Sequence, residues 1–276
     1  MSGPIGLHGG GEYLPGDERF LDALLEAAAR AASGQTAFET DDEGDVTGHS
    51  LEPAGGVVDR GVGWVRPIRI VIVPTAAARG RPDLAAATGQ AAFERRASAG
   101  DHGRIEVSVA RIVDAESATD PDHVGRILTA DLVHFPGGDP DLIPAVLGGS
   151  PALSALRSAW HGGTVVAGAS AGAMGLAEWT WTPHGGVRGL GFVPGIAVVP
   201  HYDNVRRTRW QAALDDLAPG GIGYLGLDER TGVIAEPNGS TGRSWRVAGQ
   251  GAAHWFARGA SSPVIARHGD VLDLPA

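Results

Sequence analysis

The chain has 276 residues and a formal net charge of −10, enough length for one large α/β domain or two small ones. An acidic chain with 6% aromatic residues is poorly suited to gripping a phosphate backbone, so nucleic acid is not an expected partner. There is no cysteine, and all 22 basic residues are arginine, which excludes cysteine nucleophiles, thiolate metal sites, Schiff-base lysines, Ser–Lys dyads and Walker A lysines.

Residues 1–14 lack a basic start followed by an apolar stretch, so no secretory leader is expected. No apolar run is long enough to span a bilayer, and the cytoplasm is the expected compartment. Short apolar runs then alternate with longer amphipathic or alanine-rich stretches, which predicts an α/β fold with a mostly parallel sheet flanked by helices. Strands are expected at 5–7, 68–73, 105–109, 132–135, 165–169, 196–199, 224–227 and 232–234. Helices are expected at 18–32, 83–98, 140–147, 151–160, 171–176 and 205–216, with Pro140 and Pro151 suited to a first helical turn. Apolar runs at 245–247, 253–256 and 271–274, separated by glycine-rich turns, predict a small antiparallel C-terminal extension. Residues 33–63 break this rhythm. They are polar, acidic and glycine-rich, and are expected to form a surface insertion within a single domain 1–276, with a lid or an oligomer contact as the alternative.

The most informative stretch is Thr-Val-Val-Ala-Gly-Ala-Ser-Ala-Gly-Ala-Met-Gly at 164–175. A buried strand climbs to Gly168 and a lone serine, Ser170, follows among small residues, as at a sharp strand-to-helix turn with one hydroxyl at its apex. Such a serine sits where unpaired helix N–H groups can hold a negative oxygen. An ordinary glycine-rich turn explains the same pentapeptide equally well. If Ser170 is a nucleophile, the missing lysine and cysteine leave only histidine or carboxylate as its base.

Four further segments follow expected strands, where open α/β sheets build ligand sites. Phe135-Pro136-Gly137-Gly138-Asp139 would let the backbone approach a ligand and aim an N–H at it, making a two-donor oxyanion hole with the N–H of Ala171, and an ordinary tight strand–helix turn explains the segment equally well. Each such donor is worth about 3–4 kcal/mol. Val199-Pro200-His201-Tyr202-Asp203 offers His201 as base, with His8, His134 and His161 as competitors near element ends. Leu227-Asp228-Glu229-Arg230-Thr231 offers a carboxylate to orient the imidazole, with Asp228 and Glu229 both open and a solvated turn as the alternative. Leu7-His8-Gly9-Gly10-Gly11-Glu12 could be an anion-binding loop, or the His-Gly-Gly-Gly motif of lipase-type hydrolases placed too near the start of the chain.

Taken together, these segments resemble the serine peptidases that include aspartyl dipeptidase (dipeptidase E) and cyanophycinase, whose fold is related to the class I glutamine amidotransferase domain. The resemblance runs in order from about residue 4 to about residue 258. It implies Ser170 as nucleophile, His201 as base, and Gly138 and Ala171 as the oxyanion hole. Dipeptidase E-like members place an acid shortly after the serine, but 181–189 contains no carboxylate. Cyanophycinase-like members use the glutamate of Asp-Glu-x-Thr, which corresponds to Glu229, so the chain falls on that side. Pro140 stands where cyanophycinases carry glutamine, and Arg206, Arg207 and Arg209 are shifted from the expected arginine-rich stretch. Both departures concern the substrate pocket.

The expected activity is therefore amide hydrolysis in small, Asp-containing peptides or isopeptides through an acyl-enzyme, with cyanophycinase action on β-Asp-Arg as the narrower alternative. Asp139 and the arginines at 206, 207 and 209 are the expected substrate contacts, the arginines pairing with a carboxylate or else forming a basic helical face. The expected partner is a small peptide, no membrane is involved, a homodimer is an open option, and no cofactor or metal is expected. Two other readings compete. One is an esterase of the α/β-hydrolase type using Ser170, Asp228 and His254. The other is a catalytically silent binding protein on the same scaffold. Glutamine amidotransferase chemistry needs the absent cysteine.

Overall fold

A computed structural model describes residues 2–36, 66–100, 102–182, 185–203, 212, 220–238 and 242–274. The first half alternates strand and helix: β1 (Ile5–His8), α1 (Glu18–Thr36), β2 (Ile68–Ile72), α2 (Pro82–Ala99), β3 (Ile105–Val109), α3 (Pro121–Leu128) and β4 (Leu132–Phe135). Helices α4 (Leu142–Leu147) and α5 (Pro151–His161) lead to β5 (Val165–Ala169) and α6 (Ala171–Leu176). Strands then dominate: β6 (Ala177–Thr182), β7 (Gly185–Arg188), β8 (Val193–Val199), β9 (Gly223–Leu227), β10 (Thr231–Asn238), β11 (Gly242–Gly249), β12 (Ala252–Phe256), β13 (Val264–Arg267) and β14 (Val271–Leu272).

The main sheet has the order β14-β11-β10-β1-β5-β4-β2-β3. Its β1, β5, β4, β2 and β3 are mutually parallel, and β10, β11 and β14 continue it antiparallel. Strands β1, β4 and β5 are buried along their whole length, which requires the continuous apolar runs seen in the sequence. One face packs on α1 and α2 through Phe20, Leu24, Leu25, Ile70 and Phe93. The other packs Phe135, Ile143, Leu156 and Val166 into a core shared with the second sheet. Each such large side chain, once buried, contributes about 1.5–3 kcal/mol. Helices α3 and α5 start as their sequences dictate, with Asp120 and Ser150 capping first-turn N–H groups and Pro121 and Pro151 opening the helix.

The second sheet, β13-β12-β9-β8-β6-β7, departs from the expected layout. The strands foreseen at 196–199 and 224–227 form there as β8 and β9, and the C-terminal strands divide between the two sheets. Helix α3, the β6–β7 hairpin and β13 were not foreseen. Helix α4 opens at Leu142 rather than Pro140, which lies in the preceding turn. Apart from residue 212, the helix expected at 205–216 lies outside the described residues from 205 to 216. So does the insertion from 37 onward, whereas 33–36 extend α1.

Register gathers five chain segments at one end. His8 pairs with Ala169 and Phe135 with Gly168, so β1, β5 and β4 finish side by side. Antiparallel β10 begins at that end, with Gly232 opposite His8. Parallel β8 and β9 finish together, Val199 opposite Gly226.

Candidate active site

Ser170 stands between β5 and α6 with φ 49° and ψ −114°, a conformation L residues rarely adopt. A Cβ at Gly168 would overlap the backbone of Gly172, and one at Gly172 would overlap the Phe135 carbonyl, so only glycine permits this tight elbow. The Ser170 N–H is tied to the His8 carbonyl at 2.9 Å, fixing the half-buried hydroxyl above the sheet end.

That hydroxyl is 3.0 Å from His201 Nε2, and His201 Nδ1 is 2.8 Å from Glu229 Oε1. His201 follows β8 with φ 52°, while Glu229 lies in the β9–β10 turn, where Arg230 has φ 55°. The loop after β1 joins the two. Gly9 accepts the His201 N–H at 2.7 Å, and Gly10 accepts the Arg230 N–H at 2.8 Å. Gly10 lies flat against the imidazole, where a Cβ would fall 2.6 Å from Nε2. The N–H groups of Gly9 and Gly10 are themselves taken by the Thr231 carbonyl and His8 Nδ1. The triple glycine is thus a backrest for the histidine rather than the anion-binding loop its composition suggested. Asp203, two residues after His201, accepts the Glu229 N–H at 3.1 Å and closes the turn from the other side.

The Phe135-Pro-Gly-Gly-Asp turn flanks Ser170 opposite the histidine. A Cβ on Gly137 would lie 3.4 Å from Ser170 Cβ, so this backbone is in the immediate reach of Ser170. Glu12 Oε1 accepts the Gly137 N–H at 2.9 Å, and Ala76 accepts the Asp139 N–H at 2.7 Å. Between them the exposed Gly138 N–H has no partner among the described residues. Ala171 is the first residue of α6, where helix geometry supplies no carbonyl to its N–H. The Asp139 carboxylate turns away toward Arg79, 3.6 Å distant. Residues 206, 207 and 209 lie outside the described residues.

Beneath this surface sits a buried polar layer that sequence reasoning missed. His8 Nε2 is 2.8 Å from Asp17 Oδ1, close but outside hydrogen-bond alignment, and the Tyr13 hydroxyl is 2.9 Å from His134 Nδ1. Burial pushes the Tyr13 pKa well above its ordinary 10.0, aided by Glu12 and Asp17. Burial also pushes His134 down to about 3, with His8 adding to the effect. The pair is therefore neutral, with the tyrosine donating to the ring. His161 ends α5 against Trp160, away from these groups. The esterase arrangement does not form. His254 Nε2 pairs with Asp228 at 3.2 Å, and Ser170 faces His201. No cluster of three or more histidine or carboxylate side chains suited to a metal ion occurs among the described residues.

Residues 66–238 match the model of peptidase family S51. Over 163 residues the chain is 28% identical to the cyanophycinases of Synechococcus elongatus and Thermosynechococcus vestitus. Those matches cover 55% of this chain and 49% of each relative, so the chain spans about half the length of the curated relatives it matches. The crystal structure of a peptidase from an acI-B1 Actinobacterium superposes with a TM-score of 0.70 at 23% identity, covering 99% of this chain and 98% of that one. The shared architecture is a flavodoxin-like α/β fold related to the class I glutamine amidotransferase domain. With a family model matching well over half of its length, the chain belongs to peptidase family S51.

Proposed function

We propose that the chain hydrolyses amide bonds in small, Asp-containing peptides or isopeptides, with Ser170 as nucleophile, His201 as general base and Glu229 as the acid that orients it. The carrying observation is the unbroken hydrogen-bonded relay, 3.0 Å from Ser170 Oγ to His201 Nε2 and 2.8 Å from His201 Nδ1 to Glu229 Oε1. Glu229 accepts a hydrogen bond from Nδ1–H and so leaves Nε2 free to take the serine proton as Oγ attacks the carbonyl carbon. The N–H groups of Gly138 and Ala171 receive the oxyanion. His201 then returns its proton to the leaving amine, and water releases the acyl group by the same steps in reverse order.

Cyanophycinase action on β-Asp-Arg is the narrower reading, favoured by the two cyanophycinase relatives and by a glutamate in the acid position. Pro140 weighs against it. A panel of aspartyl dipeptides, β-Asp-Arg and non-acidic controls tests both. Cleavage of acidic members that drops by about 10⁴-fold or more in Ser170→Ala is expected. Cleavage unchanged in that variant sinks the mechanism.

A further inference from the structure

We infer that Glu12 is a positioning residue that shapes the oxyanion hole of the reaction proposed above, on which this inference rests. The Pro136–Gly137–Gly138–Asp139 turn is clamped at two points. Glu12 reaches across from the loop after β1 to take the Gly137 N–H at 2.9 Å, and Ala76 takes the Asp139 N–H at 2.7 Å. The residue between the clamps, Gly138, has φ 151° and a Cβ position that would overlap the Ala76 carbonyl. Its N–H has no other partner among the described residues. Without Glu12, the Gly137 peptide is free to rotate, and rotation of that plane swings the next N–H off the position an oxyanion occupies. A donor contributes to catalysis only when it is aimed before charge develops, since a mobile one must be reorganised at each turnover.

Glu12 is itself held. It follows Gly9–Gly11, whose carbonyls grip His201 and Arg230, and precedes Tyr13, whose buried hydroxyl meets His134 on the same strand that enters the Phe135 turn. One loop thus sets the general base on one side of Ser170 and the oxyanion donor on the other. The carboxylate works here through an oxygen at a given reach. Its negative charge near a developing oxyanion brings no benefit of its own.

Reach and charge make opposite predictions for substitutions. Kinetics on the best substrate of the peptide panel, with Ser170→Ala as the blank, would compare wild type with Glu12→Gln, Glu12→Asp and Glu12→Ala. Glutamine keeps an oxygen at the same length, and its kcat is expected within about threefold of wild type. Aspartate keeps the charge but falls short, and both it and alanine are expected to lose about 10²-fold in kcat with KM little changed, the cost of one misplaced donor. A peptide aldehyde, which forms a tetrahedral adduct with the serine, should lose affinity in the same order. If instead Glu12→Gln and Glu12→Ala raise KM together and Glu12→Asp is mildest, the carboxylate binds a substrate cation and the inference is wrong. Equal kcat in all four proteins also overturns it. A wild type no more active than Ser170→Ala overturns the underlying peptidase reading and the inference with it. Because Glu12→Gln preserves shape, misfolding of the alanine variant leaves the Gln-against-Asp order decisive.

Discussion

Asp228 and Glu229 are consecutive, each holds a histidine, and the two pairs do different things. Glu229 and His201 are 37% and 34% exposed and continue to a serine hydroxyl. Asp228 and His254 are each 15% exposed and continue to no serine hydroxyl among the described residues. Asp228 Oδ2 takes the Ala252 N–H at 2.8 Å, Oδ1 meets His254 at 3.2 Å, and the His254 ring lies under Tyr202 with centroids 4.6 Å apart. Adjacent side chains leave the backbone in different directions, so one acid faces the serine and the other braces β9 against β12. A histidine–carboxylate pair is therefore no site by itself. The serine hydroxyl at the far end of the His201 pair makes the difference.

The largest test of this contrast is Glu229→Gln. It keeps the size of the side chain but can hold the imidazole in the wrong tautomer, and kcat is expected to fall about 10³–10⁴-fold with the fold intact by circular dichroism. A fall below tenfold would remove Glu229 from the relay. Next, Gly10→Ala puts a methyl group where the His201 ring lies, at a residue with φ 102°. Displacing a base by a fraction of an ångström or more should cost about 10²-fold in kcat. Wild-type activity in that variant would show that the loop does not support the histidine.

Asp228→Ala should reverse the pattern. It strips partners from the Ala252 N–H and His254, so denaturant unfolding should report a loss of about 1–3 kcal/mol while kcat stays within about threefold. Loss of activity on the scale of Glu229→Gln would erase the distinction between the two pairs. The last test concerns the buried His134, whose pKa is pushed from 6.5 to about 3. The unfolded chain takes up a proton near 6.5 that the native state refuses until about 3. Protonation therefore favours unfolding, and stability should fall as pH drops through that window, by up to about 1.4 kcal/mol per unit from this group. In His134→Gln the decline should be shallower by one proton. Identical slopes would contradict a neutral buried ring.

Much of this was legible because the site is built at strand ends. Buried parallel strands need apolar runs, and the candidate site's segments follow those runs, at Gly9, Pro136, Ser170, His201 and Glu229. The unforeseen elements lack such punctuation. Strand β6 begins at Ala177 with no turn after α6, and α3 is a helix of eight residues containing Gly125. The division of the C-terminal strands between two sheets left no mark either, because an antiparallel strand looks alike in both. All four non-glycine residues with positive φ among those described, Tyr13, Ser170, His201 and Arg230, lie in loops at the site. Such conformations cost about 1–3 kcal/mol each and persist only where the surrounding contacts impose them. Composition gives no hint of them.

By itself, the sequence limited the chemistry open to the proposed mechanism. Without lysine or cysteine, a serine between Gly168 and Gly172 can be activated only by histidine or a carboxylate, and glycine at those two places is what the close approach of β5, α6 and β4 demands. Tertiary structure alone decided which acid of 228 and 229 faces His201. It also decided that the triple glycine serves the histidine instead of an anion, and that Glu12 reaches the Gly137 N–H. Those outcomes depend on the direction of side chains and carbonyls across separate segments, 28 residues apart for His201 and Glu229 and 125 for Glu12 and Gly137. Local spacing cannot encode such directions until the sheets are assembled.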